Sequence, residues 1–217
     1  MWFTVPRHKM EMPPRDRALP GRAMPMPVPA QHFVNGRPLQ PPFPEQMEMA
    51  LFGLGCFWGA ERKFWQAPGV YSTAVGYAAG YTPNPTYEQV CTGRTGHAEV
   101  VRVNYDPSVT SYGEILDVFW KAHDPTTLNR QGADRGTQYR SIILTQNDEE
   151  AAIAQASKAA AQKSFSAPIV TEITPLTAFY PAEPYHQNFT ANNPTHPYVC
   201  AVIAPKLEKF RHGTKSA

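Results

Sequence analysis

Cysteine is scarce in this 217-residue chain, with three in all, and only 18% of residues are charged. Three thiols cannot build a disulfide framework in a chain this long, so a reducing compartment, the cytoplasm, is expected, with at least one free thiol. Twenty Lys and Arg against eighteen Asp and Glu give a formal charge of +2. That balance supplies no field for steering nucleic acid or an anionic membrane. No apolar run reaches the length of a membrane span, and the opening Met1 to Arg7 lacks a secretory core, so neither insertion nor export is expected. There is no Cys-x-x-Cys or His-x-x-x-His pair, no Gly-x-Gly-x-x-Gly and no Walker A sequence. Neither a metal nor a nucleotide cofactor is therefore expected. Methionine is missing from residues 50–217, all seven lying in the first 49.

Proline is abundant, at 23 residues, and uneven: eleven fall within residues 1–46. Proline fixes φ and removes an amide donor, so residues 1–46 are expected to form an irregular arm, solvated or draped over the surface. The arm holds six basic and three acidic residues and leaves 47–217 close to neutral. A catalytic domain over 47–211 and a short tail over 212–217 complete the expected organisation.

Within the body, Glu48 to Leu54 reads as a buried strand, and Gly55-Cys56-Phe57-Trp58-Gly59 turns it into a helix. Residues 70–77 read as a strand, followed by an irregular loop through Tyr87. Residues 97–105 alternate, with His97, Glu99, Val101, Val103 and Tyr105 turned inward and Ala98, Val100, Arg102 and Asn104 opposite. Ser111 with Glu114 and Asn147 with Glu150 mark two helix starts, the second helix running to about Lys163. Strands are expected over Gln138 to Leu144 and over 168–174. Strands and helices interleave without strict alternation, so the expected fold is α+β, a two-layer sandwich of a mixed sheet with packed helices.

Cys56 stands where a strand ends and a helix begins, and the unpaired amides and dipole of a first helical turn lower a thiol's pKa. Glu99 shares the inward face with two valines, where desolvation raises a carboxyl's pKa and suits it to donate a proton. Its alternative is an ordinary ion pair with Arg94 or His97. A Cys56–His186 hydrolase and a peptide-binding module built from the aromatics are the rival readings.

Gly55-Cys56-Phe57-Trp58-Gly59-Ala60-Glu61 resembles the signature of the peptide methionine sulfoxide reductase A family. Gly80-Tyr81-Thr82-Pro83-Asn84-Pro85-Thr86-Tyr87, Thr95-Gly96-His97-Ala98-Glu99, Gly136-Thr137-Gln138-Tyr139-Arg140-Ser141 and Tyr185-His186-Gln187 continue the likeness in order over residues 50–190. The proline-rich arm lies outside it. The resemblance implies a ferredoxin-like core and reduction of the S epimer of methionine sulfoxide, free or in proteins, by a monomer. It implies Cys56 as nucleophile, Glu99 as acid assisted by Tyr87 and Tyr139, and Phe57 and Trp58 around the substrate methyl. Asp134 would orient a tyrosine or a water, and His186 lies on the substrate side. The resulting sulfenic acid would be resolved by a second thiol and the enzyme recycled by thioredoxin, with no bound cofactor or metal. Cys200 is the expected resolving thiol, slightly ahead of direct attack on the sulfenic acid by an external thiol, yet it lies among strand-forming residues one place along from the family's Gly-Tyr-Cys position, and burial there would leave it structural. Cys91 is expected to pack as a small residue.

Overall fold

Five apolar or small residues in a row, Ala50 to Leu54, are buried on both faces of β1 (Glu48–Leu54), the central element of the fold. In the computed structural model, which describes residues 5–211, it is followed by α1 (Phe57–Trp65), β2 (Val70–Ala78), α2 (Tyr87–Cys91), β3 (Ala98–Tyr105) and α3 (Tyr112–Ala122). Two short strands, β4 (Arg130–Gln131) and β5 (Asp134–Arg135), form a small hairpin. Then come β6 (Ser141–Thr145), α4 (Asp148–Gln162), β7 (Glu172–Pro175), β8 (Phe179–Pro181), α5 (Phe189–Asn192) and α6 (Ala204–Arg211). The expected tail over 212–217 lies outside the described residues, as does Met1. No helix among the described residues is long and apolar enough to cross a membrane.

The sheet runs β7-β6-β1-β3-β2-β8, antiparallel throughout except for the β6–β7 pair. Its inner four strands have the split βαβ order of a ferredoxin-like core. Helices α1, α3 and α4 cover one face, over Phe52, Phe64, Val101, Val103, Ile115 and Phe119. The alternation read from β3 holds, but its second face is equally buried. Ala98 and Val100 pack there with Leu51, Ile142 and Leu144. Arg102 donates to the Leu39 carbonyl and lies over the rings of Phe43 and Phe179.

Leu39 and Phe43 belong to the N-terminal arm, which is therefore a layer of the structure over part of its length. His32 of the arm is 1% exposed, its Nε2 lying 2.9 Å from the Thr73 hydroxyl and 2.8 Å from Asn188 Nδ2. Both of those groups also bond to the buried carboxyl of Glu61. Burial pushes Glu61 up to about 8 and His32 down to about 4, so the network is neutral near pH 7. Replacing His32 with alanine takes one hydrogen-bond partner from each of the buried Thr73 and Asn188 side chains, which costs about 1–3 kcal/mol. The urea midpoint is expected to fall accordingly, and the arm to become cleavable by proteases at native temperatures.

Four other expectations shift. Tyr87 begins α2 rather than ending a loop, because Thr86 and Gln89 form a reciprocal capping box. The strand expected from Gln138 begins at Ser141; Thr137 to Tyr139 form a 3-10 turn that the Arg140 guanidinium closes by donating to the Thr137 carbonyl. β7 begins only at Glu172, since the Val170 amide goes to the Pro125 carbonyl. Val199 to Ile203, which reads as strand-forming, is a wide helical turn running into α6. Its buried Val199, Ile203 and Leu207 recur every four residues and pack with Phe189 and against Trp58.

Candidate active site

Gly55 takes a φ of +95°, which lets β1 turn into α1 without a side chain striking Gln131. Cys56 is then the residue that caps α1, and its side chain makes none of the usual oxygen caps. An open amide of the first turn is met in another way: Phe57 donates to Glu99 Oε2 at 3.0 Å, while the Trp58 amide favours negative charge on the Cys56 sulfur. One helix terminus thus holds the thiol and the carboxyl together. Glu99 is 2% exposed and does not pair with Arg94 or His97. Burial, with the charge of Asp134, pushes its carboxyl up to about 8, against the pull of the Phe57 amide.

The thiol behaves differently from the expectation at a helix start. Burial first, and the charge of Glu99 second, raise the Cys56 pKa well above the usual thiol range, outweighing the Trp58 amide. Cys56 and Glu99 therefore form a pair that resists carrying two negative charges.

Tyr87 and Tyr139 converge on this pair, and each feels the charges of both Glu99 and Cys56. Burial above all keeps both hydroxyls protonated. Tyr87 is set by Glu183, which the sequence does not advertise: its carboxylate accepts from the Tyr87 amide at 2.7 Å and from the Tyr77 hydroxyl at 2.9 Å. The partly buried Cys91 thiol shares a hydrogen bond with the Tyr87 side chain, so its small-residue packing is also polar.

Phe57 is buried under the site against Tyr77 and His186, while Trp58 is half-buried and stacks on Phe189, with ring centres 3.7 Å apart. His186 has no exposure, and its Nδ1 accepts the Trp58 indole N–H at 2.9 Å. It lies behind the indole, and burial holds it neutral by lowering its pKa to about 4. Asp134, on the β4–β5 hairpin, accepts the Tyr198 hydroxyl at 2.6 Å, and that hydroxyl is also in hydrogen-bonding reach of the Cys56 thiol. Tyr198 meets the Trp58 ring edge-on, with centres 5.9 Å apart. The tyrosine at the thiol is thus one the sequence reading did not single out. Its only signal there was its place two residues before Cys200.

Cys200 itself is exposed and faces away, its thiol 3.5 Å from the Pro194 carbonyl. Burial as a structural cysteine is thereby overturned. The helical turn places Tyr198 and Ile203 toward Cys56 and leaves Cys200 outside. A cavity of about 40 Å³ remains beside Cys56, lined also by Leu54, Ala60, Asp134, Tyr198 and Ile203. Among the described residues no cluster of three His, Cys, Asp or Glu side chains could hold a metal ion.

The family model of peptide methionine sulfoxide reductase matches residues 48–217. The chain is 60% identical, over 197 residues and 89% of each chain, to peptide methionine sulfoxide reductase MsrA 1 of Synechocystis sp.. Since residues 47–217 make up about four fifths of the chain, that likeness reaches into the arm, which the sequence reading had set outside it. Methionine sulfoxide reductase A of Corynebacterium diphtheriae superposes with a TM-score of 0.77 at 39% identity, covering 86% of this chain and 92% of that one. Mxr1 from Saccharomyces cerevisiae in complex with Trx2 gives 0.51 at 25% identity, covering 70% and 90%. A fold, a sequence likeness and a cysteine–carboxyl helix terminus lead to one place: the chain belongs to the peptide methionine sulfoxide reductase family, in its A branch.

Proposed function

We propose that this protein reduces the S epimer of methionine sulfoxide, free or in oxidised proteins, to methionine, and so repairs oxidised proteins. The observation that carries this reading is the Phe57 amide bond to Glu99, which places a protonated carboxyl at the helix terminus that bears Cys56. A thiol alone is a poor reagent for a sulfoxide, because the oxygen cannot leave its sulfur without a proton.

In the reaction, the Cys56 sulfur attacks the sulfoxide sulfur while the Glu99 proton passes to the oxygen, to which the Tyr87 and Tyr139 hydroxyls donate, and the thiol proton of Cys56 returns to the Glu99 carboxylate. The protonated oxygen then passes to the Cys56 sulfur as the newly formed S–S bond breaks, so that methionine leaves with the electron pair of that bond and Cys56 is left as a sulfenic acid. Phe57 and Trp58 form the apolar slot for the methyl, His186 fixes the indole, and Asp134 orients Tyr198 beside the sulfur. One small apolar slot and one set of oxygen donors at fixed positions accept only one arrangement around a chiral sulfur.

The sulfenic acid then condenses with a second thiol to a disulfide, releasing water, and a thioredoxin reduces that disulfide; the complex of Mxr1 with Trx2 supports such a partner. Cys200 serves as resolver only if Val199 to Ile203 unwinds, because its thiol faces outward in the reduced chain. The enzyme works as a cytoplasmic monomer and holds no cofactor of its own. A hydrolase built on His186 is disfavoured, because its Nδ1 is occupied by the Trp58 indole.

The test is methionine release from the separate S and R epimers, driven by dithiothreitol or by thioredoxin with its reductase and NADPH. The S epimer alone should turn over. In Cys200→Ser, turnover should persist with dithiothreitol and collapse with thioredoxin. Undiminished thioredoxin-driven turnover would remove Cys200 from the cycle, and turnover of neither epimer would end the reductase reading.

A further inference from the structure

The arm's first 3-10 turn, Arg7–Lys9, lies at the edge of the site just described. Its Met10 carbonyl accepts from Asn129 Nδ2 at 2.9 Å, and Gly93 is closed in by the Lys9 backbone. Further along, the Leu19 amide donates to the Arg94 carbonyl, so the arm is tied down on both sides of its crossing. Between this turn and α2 runs an open groove of about 630 Å³, lined by His8, Lys9, Tyr87, Glu88, Cys91 and Arg94. That volume is in the range of sites that hold several linked groups. Tyr87 is its inner wall and is at the same time the tyrosine next to Glu99 and Cys56. The groove and the catalytic group therefore share Tyr87.

The groove has a sign. Lys9 and Arg94 line it with the imidazole of His8, against one carboxylate, Glu88. The nearby Arg7 adds nothing to this balance, since Glu11 accepts its guanidinium at 2.7 Å. The positive charge of Lys9 is felt at the Cys91 sulfur on the opposite wall, so the cation faces into the groove. The rest of the body is close to neutral, and this excess is local and contributed half by the arm.

We infer that the groove between the arm's first turn and α2 binds the polypeptide flanking an oxidised methionine, and that it selects acidic flanks. The inference rests on the reductase reading and deepens it, since it names the substrate class for the same site. Free methionine sulfoxide has no flank and does not use the groove. Ion pairs at partly exposed positions each contribute modestly, so the selection is a matter of fold-changes rather than of all or nothing.

The experiment uses the full chain and pentapeptides with a central methionine sulfoxide between glutamates, between lysines, or between glycines. Glutamate flanks should raise kcat/KM about five- to tenfold over lysine flanks at low salt. The double variant Lys9→Glu, Arg94→Glu should bring that ratio to one or below, with turnover of free methionine sulfoxide unchanged. Anisotropy of labelled pentapeptides carrying methionine itself reads the groove without any turnover and should show the same preference and the same reversal. Equal turnover of all flanks alongside good turnover of free methionine sulfoxide would overturn the groove and leave the reductase reading standing. An acidic-flank binding preference with no turnover of any sulfoxide would do the opposite.

Discussion

Cys56→Ser abolishes methionine release from the S epimer while leaving the protein at least as stable as before. A missing nucleophile costs rate by orders of magnitude, about 10⁶-fold where removal has been measured in a serine protease. A serine hydroxyl at this position has no base to ionise it, and its oxygen does not attack sulfur as a cysteine sulfur does. The structural side of the change is benign. Cys56 is the residue before α1, its side chain makes no cap bond there, and serine is among the best residues for capping that position. The expected record is therefore an unchanged or raised thermal midpoint together with turnover at background. Loss of the fold with the activity would mean that the thiol is structural, and residual turnover above one part in about a thousand would mean another nucleophile.

Glu99→Gln is expected to lower kcat/KM about 10²- to 10⁴-fold, the usual range for a positioned acid. Glutamine keeps the volume and the oxygen that accepts the Phe57 amide, so the helix terminus is preserved and only the proton is lost. The pH dependence separates this from a packing effect. The Glu99 carboxyl, pushed up to about 8, is protonated at neutral pH, so wild-type turnover declines as pH rises through about 8, and the remaining activity of the variant does not. Stability has the same origin. A carboxyl raised from the ordinary 4.5 to about 8 binds its proton more tightly in the folded state, so stability is full below about 4.5 and declines between 4.5 and 8. Glu61, raised to about 8 by burial, contributes a second decline over the same window. Unfolding in urea at pH 7 and pH 9 measures both, in a window where the buried histidines are already neutral. Glu99→Gln should flatten the dependence in part, and Glu99→Gln with Glu61→Gln should remove most of it. A wild-type midpoint that does not fall between those pH values would show that neither carboxyl is held neutral.

These two predictions concern residues that the sequence exposes because their signals are local. Cys56 follows a glycine at a strand's end, and Glu99 sits in a strict alternation with Val101 and Val103 whose inward face the structure keeps. Capped helices were equally readable: Ser111 with Glu114 and Asn147 with Glu150 make the bonds their spacing implies. Where the reading failed, the deciding contact is distant or the local pattern is ambiguous. Val199 to Ile203 has strand-forming side chains, and only the four-residue recurrence against Trp58 and Phe189 turns it into helix. Tyr198 reaches Asp134 across 64 residues, and Glu183 reaches the Tyr87 amide across 96. The arm's place on the sheet rests on His32, an isolated histidine in a stretch of prolines with nothing around it to mark it as buried.

The contact between His32 and Asn188 spans 156 residues. On the ribosome the arm emerges ahead of the sheet, and its anchor arrives only after roughly 8–30 s of synthesis at ordinary rates. Strands β1 to β3, with the nucleophile and the acid, are complete well before then. The back of the sheet at Val100 waits for Ile142 and Leu144, and Tyr198 comes to the thiol later still. Each newly made molecule thus passes through an interval in which its reactive sulfur is present and its cover is not.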